Sequence, residues 1–216
     1  MKVNQLHRAI PSQNAVAGVL VLHPWWGLND DTRAYADRLA DAGFAAVAPD
    51  LYDGQVATTI EEADRLSTSL NEDAADAIAW SAVDVLGETV GDTSARFGAI
   101  GFSMGSAWAL WLPVHRPEIV ASVTYYGTLE GPSLTRARVP VLGHFAEADE
   151  YEPDDGVVAF EGSLRLAGRD VEIHRYPGAG HWFAEPSRDD AYKAAAADLA
   201  FERTITFLRR HLVDAG

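Results

Sequence analysis

Short apolar runs alternate along the chain with longer segments of helical periodicity. Each run is bounded by glycine, proline or charge, which is typical of strands buried on both faces of a parallel sheet. Five runs predict strands, AGVLVLH, FAAVAPD, RFGAIGF, IVASVTYYG and VPVLGHF, and VEIHRYP adds a sixth. Strands that alternate with helices predict an α/β fold, with a mainly parallel central sheet and helices on both faces. Functional residues of such sheets gather at the carboxyl ends of the strands.

Three segments between or after these runs carry a clear helical pattern. NDDTRAYADRLADAG begins at Asn29 or Asp30 as N-cap and ends at Gly43. NEDAADAIAWSAVDVLGE predicts a helix with a broad apolar face. Its apolar residues are Ala77, Trp80, Val83, Val85 and Leu86. The last segment, DDAYKAAAADLAFERTITFLRRHL, ends in the basic residues 209–211, which we expect to stabilise the negative end of the helix dipole.

One domain is expected over residues 1–216, because no composition break, repeat or Gly/Ser linker divides the chain. A hydrophobic fraction of 48% with six tryptophans excludes a disordered chain. The longest apolar stretch, AVAGVLVL, is too short to span a bilayer. The first residues have no apolar core of the kind found in secretion signals. We therefore expect a soluble, cytoplasmic protein.

Charge and cysteine content narrow the function classes. The formal net charge of −15 repels nucleic-acid phosphates and anionic lipids, so neither is an expected partner. The chain has no cysteine, so any nucleophile is an oxygen or a nitrogen. The acidic run EADEYEPDD lacks the ligand spacing and the central glycine of an EF-hand loop. We interpret it as a solvated loop and expect no metal there.

Ser103 follows the predicted strand RFGAIGF and precedes the helical segment MGSAWALWLPVH, with Gly101 and Gly105 on either side. This strand–turn–helix context is that of a nucleophile elbow, in which small neighbours allow a tight turn with an exposed serine. In the alternative reading, G-x-S-x-G arises by chance and its glycines only permit close packing. The surrounding strand and helix favour the nucleophile.

A serine hydroxyl becomes a good nucleophile only when a base takes its proton, and histidine is the usual base. His181 is the candidate, because YPGAGHWF places it in a glycine-rich loop directly after the last predicted strand. Structural roles are expected for His23, His115, His144, His174 and His211.

A carboxylate must orient the imidazole. Asp149 lies in the acidic loop after VPVLGHF and gives the order serine, acid, histidine that is expected of an α/β-hydrolase. Glu147, Glu150 and Asp154 compete with it.

Negative charge that develops on a substrate oxygen needs fixed hydrogen-bond donors. The backbone N–H of Met104 is one candidate. The second is expected from the loop HPWWGLND, where Trp25 N–H is the first choice and Trp26 N–H the alternative. Pro24 has no N–H to donate.

These motifs together resemble the dienelactone hydrolase family of α/β-hydrolases. The resemblance covers nearly the whole chain, through LHPWWGLND, GFAAVAPDLY, GFSMGSAWAL, VTYYG, GHFAEADEYEP, YPGAGHWF and ERTITFL in the family's order and spacing. It implies a small single-domain enzyme that hydrolyses lactones and esters without a cofactor. It also implies a catalytic triad of Ser103, Asp149 and His181.

The chain departs from the best-known members of that family at three positions. Ser103 stands in place of a cysteine nucleophile, and Pro24 in place of the glutamate that controls this cysteine. Glu185 stands where dienelactone-cleaving members place an arginine, and a carboxylate there would repel the substrate carboxylate. Arg188 or Arg65 would have to substitute for that arginine. A neutral ester or lactone is therefore the expected substrate.

Aromatic residues accumulate at strand ends and in the loops expected around Ser103. A ring of this kind would either form a substrate pocket or pack as core. The candidate pocket residues are Trp26, Tyr52, Tyr126, Trp182, Phe183 and Glu185, with Trp25 and Tyr125 beside them. The spacing of Trp80, Trp108 and Trp111 favours helix core for these three.

The sequence thus predicts a serine hydrolase of esters or lactones. An amidase or an acyltransferase would use the same residues. A non-catalytic binding protein of this fold is the alternative from another class, and its expected mark, a broken triad, is not present in the sequence.

Overall fold

The computed structural model describes residues 6–92 and 95–214. Seven strands form one sheet in the order β1-β3-β2-β4-β5-β6-β7. Their bounds are β1 Leu6–Ala9, β2 Gly18–Leu22, β3 Ala45–Pro49, β4 Phe97–Phe102, β5 Ile119–Tyr125, β6 Val141–Ala146 and β7 Val171–Tyr176. Strands β2 to β7 run parallel, and β1 pairs antiparallel with β3 at one edge. The six predicted strands are β2 to β7.

Helices connect the strands. Their bounds are α1 Asp30–Asp41, α2 Ile60–Thr68, α3 Glu72–Val90, α4 Gly105–His115, α5 Pro132–Arg136, α6 Asp154–Leu166 and α7 Ala194–Leu208, which continues as a π-helical turn, Arg209–Val213. Side-chain caps fix where three of them begin. Asn29 accepts a hydrogen bond from the Thr32 N–H, Thr59 from Glu62 and Asn71 from Ala74. Of the two caps that the sequence offers for α1, the structure uses Asn29.

Two glycines show that helices cover both faces of the sheet. A Cβ on Gly18 would meet Leu86 of α3, whereas a Cβ on Gly98 would meet Leu208 of α7. The parallel register pairs Gly18 with Phe97, so Gly98 points to the opposite face. Helices α3 and α7 therefore lie on opposite faces, which is the predicted layered arrangement.

The predicted apolar face of α3 is partly wrong. Its buried residues are Ala75, Ala79, Ala82, Val83, Leu86 and Gly87. Trp80 is 41% exposed, so its assignment to the helix core is incorrect. Small alanines let α3 lie close to the sheet, while the Trp80 ring sits outside, against Trp111 at 6.4 Å and beneath the Arg116 guanidinium at 5.6 Å.

The chain contains elements that the sequence pattern did not predict, namely β1, α2, α5 and α6. The acidic run 147–155 is not a loop throughout, because Asp154 and Asp155 form the first turn of α6, where carboxylates favour the helix dipole. Beyond α7, Arg209 donates to the Ala42 carbonyl at 3.2 Å and Arg210 pairs with Glu172. These arginines thus bind neighbouring elements as well as closing the last helix.

Across residues 6–92 and 95–214, no helix combines the length and the apolar character needed to cross a membrane.

Candidate active site

Ser103 lies on a sharp turn between β4 and α4. Its φ is +47°, a conformation that non-glycine residues seldom adopt, and its N–H is held by the Tyr125 carbonyl at 2.8 Å. The flanking glycines are required for close approach. A Cβ on Gly105 would overlap the Leu22 carbonyl oxygen, and one on Gly101 would overlap the backbone of α4. The turn therefore holds the serine side chain at the carboxyl end of the central strand.

Ser103, His181 and Asp149 form one hydrogen-bonded line. Ser103 Oγ lies 2.9 Å from His181 Nε2, and His181 Nδ1 lies 2.9 and 2.8 Å from the two carboxylate oxygens of Asp149. The side chains of His181 and Asp149 are only 5% and 4% exposed. With Asp149 accepting at Nδ1, the lone pair of Nε2 faces the hydroxyl. Chemically, this arrangement can take a proton from Oγ and stabilise the imidazolium that results.

Asp149 is positioned by the loop after β6. Its Oδ1 accepts hydrogen bonds from the N–H groups of Tyr151 at 2.9 Å and Glu152 at 3.0 Å. The Glu152 carboxylate in turn accepts from the N–H and hydroxyl of Thr128 at 3.1 and 2.9 Å, which ties this loop to the segment after β5. These backbone contacts fix the Asp149 carboxylate beneath the imidazole.

Two of the competing carboxylates are engaged elsewhere. Glu147 accepts the Gly178 N–H at 2.9 Å, and Asp154 pairs with Arg175 at 2.6 Å. Glu150 lies beside Asp149 in the wall of a cavity. Within the described part of the chain, no three His, Asp or Glu side chains are grouped as a metal site would require.

Three aromatic rings surround the His181 imidazole. The ring centroids of Tyr126, Tyr151 and Trp182 lie 4.9, 5.0 and 5.0 Å from it. Trp25 extends the cluster, at 5.7 Å from Tyr151 and 6.1 Å from Trp182. These rings shield the imidazole from bulk water. Tyr151 was not among the predicted site residues, although it lies only two residues after Asp149 in the sequence.

The candidate oxyanion donors stand near this turn. Within residues 6–92 and 95–214, the backbone N–H groups of Met104 and Trp25 form no hydrogen bond to another protein group, and the same holds for Trp26. Tyr52, one of the predicted pocket residues, donates its hydroxyl to Met104 Sδ at 3.2 Å and supports that side chain. The N–H groups are therefore free to receive a developing negative charge.

Two buried histidines hold neighbouring segments. His23 Nδ1 donates to the Pro24 carbonyl at 2.6 Å, and its Nε2 accepts from the Leu51 N–H at 3.1 Å. Burial lowers the pKa of His23, which keeps the ring neutral in this role. His144 contacts the Tyr176 hydroxyl at 2.8 Å and the Thr204 hydroxyl at 3.0 Å. Both contacts are of the structural kind expected from the sequence.

The predicted pocket aromatics pack closely against one another and do not enclose a common space. Tyr126 and Phe183 are fully buried, with ring centroids 5.4 Å apart. Trp26 and Trp182 are 5.3 Å apart, and the Arg188 guanidinium lies 4.6 Å from each ring. These contacts fill the space on that side of the site.

Open space lies on two other sides. A cavity of about 540 Å³ adjoins Met104 and is lined by α2, α3 and α4. Another, of about 640 Å³, includes Asp149, His181 and Trp182 in its wall. The cavity at Met104 was not predictable from the sequence, because its wall includes the end of α2, a helix that the hydrophobic pattern did not predict.

Glu185 differs from its predicted state. It is 3% exposed, and Tyr126 donates its hydroxyl to Oε1 at 2.8 Å. Burial raises the pKa of Glu185 to about 8, with Asp31 adding to the rise and Arg188 opposing it. The neutral acid therefore predominates at pH 7, and the expectation of a repelling carboxylate is wrong at that pH. Arg65, offered as a substitute cation, is exposed on α2.

Glu185→Gln should raise the free energy of unfolding at pH 7 by roughly 2 to 3 kcal/mol. The folded-state pKa of about 8 lies above the ordinary 4.5, so the stability from the neutral acid is complete below pH 4.5 and declines as pH rises to 8. Glutamine imitates the neutral acid at every pH. Urea unfolding at pH 5 and pH 7 should show the gain shrinking to about 1 kcal/mol or less at pH 5.

The exposed Glu61→Gln on α2 is the matched control and should change stability little at either pH. An equal gain for Glu185→Gln at both pH values would contradict a buried neutral acid.

The chain is similar in sequence to known proteins. The dienelactone hydrolase family matches residues 6–212. Protein usf of Aquifex pyrophilus is 32% identical over 207 residues, which cover 90% of this chain and 88% of that protein. A protein of Aquifex aeolicus (strain VF5), named "Putative carboxymethylenebutenolidase", is 33% identical over 206 residues with the same coverage, 90% and 88%.

A solved structure shows the same layout. The dienelactone hydrolase-like promiscuous phosphotriesterase P91, from metagenomic libraries, superposes with a TM-score of 0.80 at 26% identity, over 92% of this chain and 88% of that one. The α/β-hydrolase fold class and the resemblance predicted from the sequence are thereby confirmed. With the family match spanning nearly all of its residues, this chain belongs to the dienelactone hydrolase family.

Proposed function

We propose that the chain is a serine hydrolase that cleaves carboxylic esters or lactones through an acyl-enzyme on Ser103. One observation carries the proposal, namely the line from Ser103 Oγ to His181 Nε2 at 2.9 Å and from His181 Nδ1 to the Asp149 carboxylate. The strained φ of Ser103 and the unbonded N–H groups of Met104 and Trp25 support it. Family membership adds support from outside the chain.

Acylation begins when Ser103 Oγ bonds to the carbonyl carbon and its proton passes to His181 Nε2. Asp149 stabilises the imidazolium, and the N–H groups of Met104 and Trp25 receive the carbonyl oxygen as it becomes negative. The intermediate collapses by breaking the bond to the leaving-group oxygen. That oxygen takes the proton from His181, so the alcohol leaves neutral and the acyl group stays on Ser103.

Deacylation repeats the steps with water. Water gives one proton to His181, and its oxygen bonds to the acyl carbon. The Ser103 ester bond then breaks, and Oγ recovers the proton from His181. The aromatic cluster around the imidazole limits the water that reaches this point, which strengthens the hydrogen bonds within the site.

The substrate proposal is a neutral ester or lactone. The net charge of −15 disfavours anionic substrates over long range. The relative in Aquifex aeolicus carries the name carboxymethylenebutenolidase, and P91 is named a promiscuous phosphotriesterase. Such names suggest that a range of ester-like substrates deserves testing on this chain.

Covalent labelling tests the proposal directly. A fluorophosphonate probe should add once to the folded protein, and peptide mapping should locate the adduct on Ser103. The same preparation should hydrolyse p-nitrophenyl esters between acetate and octanoate. Product analysis with added alcohols or amines separates a hydrolase from an acyltransferase, and an amide series tests amidase activity. A folded protein that neither labels nor hydrolyses would favour the non-catalytic binding alternative.

A further inference from the structure

A cavity of about 540 Å³ opens beside Met104, whose backbone N–H is the proposed oxyanion donor. Its volume is in the range of small-molecule binding sites. Apolar side chains form much of the wall, including Leu70, Met104, Trp108 and Trp111. A substrate whose carbonyl oxygen is bound by the Met104 N–H would thus lie next to a residue that also lines this largely apolar cavity.

Negative charge lines the same cavity. Glu72 and Asp76, from the start of α3, both contribute to its wall. Asp76 is fixed there, because its Oδ1 accepts a hydrogen bond from Trp108 Nε1 at 2.8 Å. Among the described residues that form the wall, none is a lysine, arginine or histidine. An anionic group bound here would meet two carboxylates without a compensating cation.

The reaction geometry decides whether the acyl group or the leaving group of the substrate enters the cavity. In the proposed mechanism His181 gives its proton to the leaving-group oxygen, so the leaving group lies on the His181 side of the carbonyl. The loop that carries His181 contributes nothing to the wall at Met104, which comes from the end of α2, the start of α3, α4 and Leu129. The acyl substituent is left to point towards this cavity.

We infer that the cavity beside Met104 binds the acyl group of the substrate and selects neutral or cationic apolar groups over anionic ones, with Glu72 and Asp76 as the selecting residues. The inference rests on the proposed function. On this inference, Glu72 and Asp76 lie outside the proposed triad and select substrates by the charge of their acyl group.

Three esters of matched length test charge selection. These are p-nitrophenyl hexanoate, mono-p-nitrophenyl adipate, which adds a terminal carboxylate, and p-nitrophenyl 6-aminohexanoate, which adds an ammonium. The unmodified protein should show kcat/KM for the hexanoate and the amino ester at least about tenfold above that for the adipate. The variant Glu72→Gln/Asp76→Asn should raise the adipate-to-hexanoate ratio about tenfold.

Ratios within one variant are insensitive to the amount of folded protein. Glu72→Gln alone, on an exposed side chain, should move the ratio in the same direction by a smaller factor. Glu88→Gln, near the far end of α3 and also exposed, is the matched control and should leave the ratio unchanged. A ratio that stays constant in the double variant overturns charge selection.

A larger side chain in the cavity wall tests whether the cavity binds the acyl group. Ala107 lines the cavity, so Ala107→Phe should shift the preferred acyl chain to a shorter length. If the variant instead changes the preference among alkyl acetates, the cavity holds the leaving group and the assignment is overturned. Either failure leaves hydrolysis dependent on Ser103, whereas failure of the proposed function would appear as the absence of any such hydrolysis.

Discussion

Ser103→Ala should lower kcat/KM for p-nitrophenyl esters by about 10⁴-fold or more. Alanine keeps the backbone of the turn but removes the oxygen that His181 faces at 2.9 Å. The oxyanion donors and the cavity remain, so a small residual rate is expected. The measurement is steady-state ester hydrolysis, with circular dichroism and urea unfolding to show that the variant folds.

Ser81→Ala is the matched control. Ser81 lies on α3, where its hydroxyl donates to the Ala77 carbonyl of the same helix at 2.8 Å. This variant should keep the unmodified rate and one fluorophosphonate adduct, whereas Ser103→Ala should show none. Ester hydrolysis that survives in a folded Ser103→Ala protein would mean that another group performs the chemistry.

Asp149→Asn should lower kcat by about 10³- to 10⁴-fold. The Asp149 carboxylate accepts three hydrogen bonds, from His181 Nδ1 and from the N–H groups of Tyr151 and Glu152. An asparagine oxygen can serve the two backbone donors, but its NH₂ then faces Nδ1. The imidazole would have to place its proton on Nε2, and Ser103 would lose its acceptor.

Asp154→Asn controls for the loss of one charge, in the first turn of the helix that follows the Asp149 loop. Its carboxylate pairs with Arg175 on the sheet edge, so only a small change in stability and none in rate is expected. Rate losses of similar size in both variants would contradict the assignment of Asp149. The rate of acylation can be measured before the steady state from the burst of p-nitrophenolate. This measurement separates a slower chemical step from altered substrate binding.

The residues around Ser103 were predictable because their constraints are local. A glycine is needed at 101 and at 105 for the backbone to approach neighbouring segments, and that requirement is visible in the motif itself. Buried parallel strands have few polar positions, so β2 to β6 could also be recognised from composition. His181 followed from its place in a glycine-rich loop after the last strand.

Other features depend on contacts between distant segments. Trp80 has the spacing of a core residue, yet its ring lies outside because α3 approaches the sheet through alanines. The pKa of Glu185 is raised by burial among distant segments, although the hydrogen bond from Tyr126, 59 residues away in the chain, lowers it. The edge strand β1 is only partly buried, so its sequence has no continuous apolar run that would predict a strand.

The cavity beside Met104 could likewise not be predicted from any single segment of the sequence. Its wall joins the end of α2 to the start of α3 and to α4, and each contributes only a few side chains. Most of the aromatic residues predicted to line a pocket pack against one another instead. A pocket is a property of what several segments leave unfilled, and a residue's type does not reveal that.

The part of the cavity wall formed by α2 and α3 can evolve separately from the proposed triad. Ser103, Asp149 and His181 lie after the ends of β4, β6 and β7, respectively. The wall residues Leu70, Glu72 and Asp76 belong instead to the connection between β3 and β4. The proposed triad and the proposed charge-selecting residues, Glu72 and Asp76, are thus encoded in separate stretches of the gene, whereas the part of the wall that α4 supplies follows Ser103 directly. Recombination or mutation confined to the connection could give a new substrate preference while the reaction chemistry is inherited intact.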